Sequence, residues 1–169
     1  MVKACIITYD EYINIPYVKI YEGLLHQNSI IYDMVLWNRS GNDKISKTYA
    51  KNLFLFKWYT KKSKILKILP FLLWRRFVKK ILQENHYDFL VVCTTIPAVL
   101  LYEELTRKFK NNYLLDIRDF TYENNFFYRY LLKNLVLLSG MTVISSRGFF
   151  EWLPCENNRY VITHNITNE

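Results

Sequence analysis

Residues 88–94 read DFLVVCT, an apolar run bounded by polar residues, and this stretch decides the fold class. Its apolar side chains do not alternate with polar ones, which is typical of a strand covered on both faces in a parallel sheet. Runs of the same kind start at Lys3, Ile30 and Tyr113, and amphipathic segments of helical length separate most of them. Weaker strands are predicted at 52–59, 141–145 and 160–163.

This alternation predicts an α/β fold: a doubly wound, Rossmann-like parallel sheet of about seven strands with helices on both faces. The chain has 169 residues with only four glycines and four prolines, which excludes disordered, fibrous and loop-rich architectures. We expect a single domain over residues 1–165. No internal repeat is evident.

Polar residues follow several of the predicted strands, where open α/β sheets bind their ligands. Asp119 would orient or deprotonate a substrate hydroxyl and Arg118 would hold local charge, unless Asp119 caps the next segment and Arg118 pairs with Asp116. The candidate substrate-binding residues are Asp10, Glu11, Thr94, Thr95 and Tyr122. The competing interpretations are a solvated turn for the two acidic residues, helix capping for the threonines and core packing for the tyrosine.

Positive charge is concentrated in one segment. The net charge is +8, and residues 44–83 contain twelve Lys or Arg and no Asp or Glu. Basic residues interleaved with large apolar ones are typical of a helix that lies on an anionic membrane, although a solvated domain helix has the same pattern. The predicted membrane-surface residues are Lys61, Lys62, Lys64, Trp74, Arg75, Arg76, Lys79 and Lys80. Nucleic acid is disfavoured as a partner because no recognition motif is present.

Cysteine and histidine usage indicates neither disulfides nor a metal site. Cys5, Cys93 and Cys155 form no CxxC pair, and the three histidines lie far from them in sequence. A reducing cytoplasm is expected. No run approaches the roughly 20 apolar residues that span a bilayer. We therefore expect a cytoplasmic protein, peripheral on the inner face of the cell membrane.

Four stretches together resemble the N-terminal domain of retaining glycosyltransferases of the GT-B fold, family 4 in particular. The first is IPYVKIYEGLL at 15–25 with YDMVLWNR at 32–39, and the second is YDFL at 87–90. The third, LDIRD at 115–119, is similar to a strand end in the branch that builds bacterial surface polysaccharides. The fourth is MTVISSRGFFEWL at 141–153 followed by YVITHN at 160–165.

The resemblance implies a hexosyltransferase that moves a sugar from a nucleotide-sugar donor to a lipid-linked or saccharide acceptor, with no cofactor. In this family the donor site and its E-x7-E motif belong to a second, C-terminal domain, and no such motif occurs in this chain. Residues 166–169 would then begin the interdomain linker, and the chain alone would be inactive. The alternative is a non-catalytic α/β subunit that recruits a separate catalytic chain to the membrane.

Overall fold

The computed structural model describes residues 1–39, 48–58, 68–122, 124–154 and 159–163. Its strands form an all-parallel, seven-stranded sheet in the order β3-β2-β1-β4-β5-β6-β7, so the predicted Rossmann-like α/β fold is confirmed. The chain divides into two compact units, Met1–Asp88 and Phe89–Glu169. The expectation of a single domain over residues 1–165 stays a prediction, and the proposed linker start at 166–169 lies outside the described residues.

The first unit contains three strands and two long helices. Apolar runs place β1 and β2 in its core, where Ile6, Met34 and Trp37 are fully or almost fully buried. Parallel pairing sets Cys5 opposite Asp33 and Met34 opposite Leu53. The elements are β1 (Lys3–Ile7), a 3-10 turn (Tyr12–Asn14), α1 (Val18–Gln27), β2 (Ile31–Asn38), β3 (Leu53–Lys57) and α2 (Ile68–Glu84).

A buried ionic network ties the first unit together. Asp33 is fully buried, and its carboxylate lies 2.6 Å from the Lys3 ammonium and accepts hydrogen bonds from Tyr87 (2.7 Å) and Asn52 (2.9 Å). Burial acts to raise the pKa of Asp33, but these three partners outweigh it and hold the pKa below its ordinary value. Burial and the nearby Asp33 charge raise the pKa of the Cys5 thiol. The thiol therefore stays protonated and packs as a small apolar group.

The second unit contains four strands. The run 88–94 forms β4, whose last four residues are buried, as its continuous apolar pattern predicts. Asn125 caps α4, because its side-chain oxygen accepts a hydrogen bond from the Tyr128 amide at 3.1 Å. The elements are β4 (Phe89–Cys93), α3 (Thr95–Leu100), a π-helical turn (Glu104–Lys108), β5 (Tyr113–Ile117), α4 (Phe126–Leu137), β6 (Met141–Ile144), a 3-10 turn (Arg147–Glu151) and β7 (Tyr160–Ile162).

Two helical predictions need correction. The sequence predicts a helical region over 63–85 that Pro70 breaks or kinks, but α2 runs continuously past Pro70 from Ile68 to Glu84, and 63–67 lie outside the described residues. The sequence also predicts a single helix over 98–109, and the structure has α3 followed by the π-helical turn instead. Gly140 allows a close approach of chain segments: a Cβ there would lie 2.6 Å from the Asn111 carbonyl oxygen.

Candidate functional site

Thr94 follows β4 and is held in an unusual backbone conformation. Its φ of 74° and ψ of 165° lie in a region that β-branched residues rarely enter. The Thr94 amide donates to the Asp116 carbonyl at 2.8 Å, which fixes the backbone at this point. The Thr94 hydroxyl is buried and makes no hydrogen bond to any residue that the structure describes. The strand end thus carries both backbone strain and an unused hydrogen-bonding group.

Thr95 belongs to a hydroxyl cluster beside this strand end. Its Oγ1 accepts a hydrogen bond from the Tyr128 hydroxyl at 2.7 Å and donates to Thr121 Oγ1 at 3.4 Å. The rings of Tyr122 and Tyr128 meet edge to face with centroids 5.7 Å apart. Thr95 is buried, whereas Tyr122 is 59% exposed. The cluster therefore joins the loop after β5 to α3 and leaves the Tyr122 ring accessible.

Arg118 is buried and paired inside the second unit. Its Nε lies 2.7 Å from an Asp116 carboxylate oxygen, and both side chains are almost fully buried. Nη1 donates to the Thr163 carbonyl at 3.1 Å, and the Ser145 hydroxyl donates to the Arg118 carbonyl at 2.9 Å. The interpretation that Arg118 pairs with Asp116 is confirmed. A role of Arg118 in the reaction can therefore only be one of positioning, since its guanidinium is not presented to solvent.

Asp119 stands one residue beyond this pair and is exposed. Across the described residues its carboxylate makes no hydrogen bond or ion pair, and it does not cap α4, a role taken by Asn125. The capping interpretation of Asp119 is therefore wrong. A carboxylate held at a strand end without a partner in the described structure remains available to a substrate hydroxyl, and its catalytic role stays a prediction.

The two acidic residues after β1 are engaged in the turn that they form. Asp10 Oδ1 accepts hydrogen bonds from the Glu11 amide (2.7 Å) and the Asn14 side chain (2.9 Å). Glu11 Oε1 accepts from the Arg39 amide at 2.8 Å. The turn interpretation therefore accounts for one oxygen of each carboxylate, and substrate binding by Asp10 and Glu11 stays a prediction.

Arg39 packs against this turn and was not identified from the sequence. The Arg39 guanidinium lies over the Tyr9 ring at 4.8 Å and over the Trp37 ring at 4.5 Å, and Nη2 donates to the Tyr9 carbonyl at 2.8 Å. The Trp37 amide donates to the Asp10 carbonyl at 3.3 Å, which holds the turn against the end of β2. The only sequence signal was a cation placed directly after an apolar strand.

A buried carboxylate accepts a hydrogen bond from the 3-10 turn that follows Asp10 and Glu11. Glu22 of α1 is 3% exposed and accepts hydrogen bonds from the hydroxyls of Tyr12, Tyr32 (2.9 Å) and Thr48. Burial, and next the hydrogen bond to Glu22, raise the pKa of Tyr12 and of Tyr32, so both phenols remain protonated donors. A buried glutamate can occupy the same helical spacing as a buried apolar residue. The sequence pattern therefore did not predict this cluster.

Helix α2 carries the described part of the basic segment. Arg76 and Lys80 are exposed, Arg75 and Lys79 are half-buried, and Leu69 and Leu72 are 42% and 51% exposed on the same helix. The four cations, with Leu72 and Gln83, line an open groove of about 560 Å³. The prediction for Trp74 is wrong, because its side chain is fully buried in the core and cannot contact lipid. Lys61, Lys62 and Lys64 lie outside the described residues.

Exposed aromatic rings gather after β5. Phe120, Tyr122, Phe126, Phe127 and Tyr130 are between 51% and 84% exposed.

Within the described ranges, no group of three His, Cys, Asp or Glu side chains is placed to hold a metal ion. In the same residues, no helix is long and apolar enough to cross a membrane. Cys93 is fully buried, and burial together with the Asp116 charge raises the pKa of its thiol.

The structure defines the class of this protein by its fold. It is a Rossmann-like α/β chain, and polar and aromatic side chains follow its parallel strands. A search of curated proteins by sequence found no match, and no protein-family model matches the chain. Solved structures do match. A chain of sucrose-phosphate synthase from Thermosynechococcus elongatus superposes with a TM-score of 0.67 at 11% identity, covering 98% of this chain and 90% of that one.

Two longer solved chains match over part of their length. A second sucrose-phosphate synthase chain from the same organism gives a TM-score of 0.67 at 12% identity, and covers 97% of this chain but 48% of that one. UDP-N-acetylglucosamine 2-epimerase from Rickettsia bellii gives 0.55 at 12% identity, covering 95% and 44%. The chain thus spans about half the length of these two structures. At such identities the likeness shows a shared fold, in agreement with the GT-B domain that the sequence resemblance implies.

Proposed function

We propose that residues 1–169 form the acceptor-side domain of a GT-B glycosyltransferase that transfers a hexose from a nucleotide sugar to a lipid-linked or saccharide acceptor. The observation that carries the proposal is the end of β4 and β5 in the second unit. A strained Thr94 and an exposed Asp119, whose side chains make no hydrogen bond within the described residues, follow adjacent parallel strands, where open α/β sheets bind ligands. The fold neighbours support a sugar-nucleotide enzyme, since one is named a synthase of sucrose phosphate and another an epimerase of UDP-N-acetylglucosamine.

The proposed chemistry assigns each group a separate task. The Asp119 carboxylate accepts a hydrogen bond from the acceptor hydroxyl and takes its proton as the hydroxyl attacks the sugar. The Thr94 hydroxyl and the exposed Tyr122 ring bind the acceptor, the ring by stacking on a sugar face. The Arg118–Asp116 pair holds the end of β5, from which Asp119 projects. The donor nucleotide is held by a second domain outside this chain, and no cofactor takes part.

Membrane attachment is proposed through α2. This helix exposes Leu69 and Leu72, and Arg76 and Lys80 one to three turns later, an arrangement that allows apolar insertion beside phosphate contacts. Each cation near an anionic leaflet contributes about 1 kcal/mol. The four cations of the groove would then give several kcal/mol, enough for reversible docking at the inner face of the cell membrane.

A transfer assay with the natural full-length protein tests the proposed reaction. We expect sugar transfer from a nucleotide sugar to a polyprenyl-phosphate-linked or saccharide acceptor, and no transfer by residues 1–169 alone. Ordinary turnover by residues 1–169 would contradict the division of labour between two domains. If the full-length protein is inactive with every donor but restores transfer when mixed with a second chain, the recruiting-subunit alternative is correct.

Vesicle co-sedimentation tests the membrane surface. We expect residues 1–169 to bind vesicles that contain anionic lipid, and to lose most of that binding at high salt. The variant changes four groove cations to Gln: Arg75, Arg76, Lys79 and Lys80. A matched control removes four exposed charges elsewhere: Lys19, Lys108, Lys110 and Lys133. Equal binding by the two variants would show that net charge, and not α2, causes the attachment.

A further inference from the structure

Arg39 carries a charge that no described residue neutralises. Its guanidinium is half-buried between two aromatic rings, and no ion pair with Asp or Glu is found for it in the described parts of the chain. Among the described residues, one of its five N–H donors is used, by the Tyr9 carbonyl, and the buried Nε has no partner. Withdrawing a cation from water without a counter-ion is unfavourable, and stacking on aromatic rings offsets only part of that cost.

The neighbouring carboxylates accept hydrogen bonds from other groups of the turn. Glu11 accepts from the Arg39 backbone amide, and Asp10 accepts from the Glu11 amide and Asn14. The turn therefore positions Arg39 by its backbone, and among the described residues the Nη1 edge of its fork has no acceptor. Tyr9 and Trp37 restrict the plane of the guanidinium, so the fork is preorganised for a planar, bidentate contact.

We propose that Arg39 binds the phosphoryl group of a phosphate ester. This inference goes beyond the proposed function and concerns only residues of the first unit. A guanidinium fork holds two phosphoryl oxygens at once, and the position of Arg39 directly after β2 is where a parallel sheet receives its ligands. The ligand is accordingly a sugar phosphate or a lipid phosphate.

Calorimetric titration of residues 1–169 at fixed ionic strength tests this site. The probes are glucose 6-phosphate for a sugar phosphate, citronellyl phosphate for a lipid phosphate, inorganic phosphate, and glucuronate as a carboxylate control. We expect at least one phosphate ester to bind, and Arg39→Gln to weaken it about 10- to 100-fold, as for the loss of charge-assisted hydrogen bonds. Preference for one ester identifies the source of the phosphoryl group.

The matched control is Arg107→Gln, which removes the same charge from an exposed position of the π-helical turn. It should leave phosphate-ester binding within about twofold, and circular dichroism should show that both variants are folded. Arg39→Lys, which keeps the charge and loses the fork, should resemble Arg39→Gln more than the parent protein. No binding of any phosphate ester, equal loss in Arg39→Gln and Arg107→Gln, or binding of glucuronate alone would overturn the proposal. Phosphate binding through Arg39 in a protein without sugar transfer would instead refute the proposed reaction and leave this site standing.

Discussion

Replacing Thr94 by glycine should make the protein more stable and less able to bind its substrate. At φ 74° and ψ 165° a β-branched residue is strained by about 1–3 kcal/mol, and glycine adopts this backbone without strain. The change also removes a buried hydroxyl that has no partner among the described residues, which itself costs about 1–3 kcal/mol. Glycine adds about 0.5–1 kcal/mol of chain entropy to the unfolded state, so we expect a net gain of about 1–5 kcal/mol.

Urea unfolding measures the stability change, and acceptor titration of the full-length protein measures the functional one. Loss of one hydroxyl contact should raise the acceptor KM roughly 3- to 10-fold. Ser29→Gly is the control, because Ser29 is exposed and also has a positive φ, of 54°, but lies in the turn after α1. It should gain up to about 1 kcal/mol without any effect on KM. Destabilisation by Thr94→Gly, or a stability gain with an unchanged KM, would refute the reasoning.

Three further predictions concern stability. Gly140→Ala should lower the free energy of thermal unfolding by several kcal/mol, because its Cβ would lie 2.6 Å from the Asn111 carbonyl oxygen. Gly23→Ala should raise it by about 0.5–1 kcal/mol, because its Cβ would meet no neighbouring described atom within 4 Å. Because the pKa of Asp33 is lowered in the folded state, its carboxylate contributes to stability above its unfolded pKa near 3.8. That contribution is lost as the pH falls through the folded pKa. Asp33→Asn should therefore lower the free energy of unfolding by about 3 kcal/mol at pH 7. In this variant the loss of stability at acidic pH should also be less steep. Asn125→Ala should cost about 1 kcal/mol in urea unfolding, and no loss would contradict its capping role.

The fold could be predicted because its determinants are local in sequence. The run 88–94 has no polar alternation, and the structure buries its central residues completely in β4. Helix ends were less predictable: the π-helical turn at Glu104–Lys108 and the continuous path of α2 through Pro70 depend on tertiary packing and not on propensity.

The candidate site could be predicted in position but not in detail. Strand ends identified Thr94 and Asp119, since parallel strands bring their carboxyl ends to one edge. The strain at Thr94, the stacking of Arg39 on aromatic rings and the burial of Trp74 are properties of three-dimensional contacts. Trp74 also shows why composition misled: a tryptophan among basic residues is as well suited to a helix core face as to a membrane surface.

Turnover of the natural full-length protein with and without the Asp119 carboxylate tests the central claim most directly. Asp119→Asn is nearly isosteric, changes an exposed side chain and removes only the charge, so folding and the acceptor KM should be preserved. Loss of a positioned general base lowers turnover about 10²- to 10⁴-fold, and we expect kcat for sugar transfer to fall by that factor. Equal kcat for the variant and the parent protein would contradict the assignment of Asp119, and with it the proposal that this domain holds the acceptor for reaction.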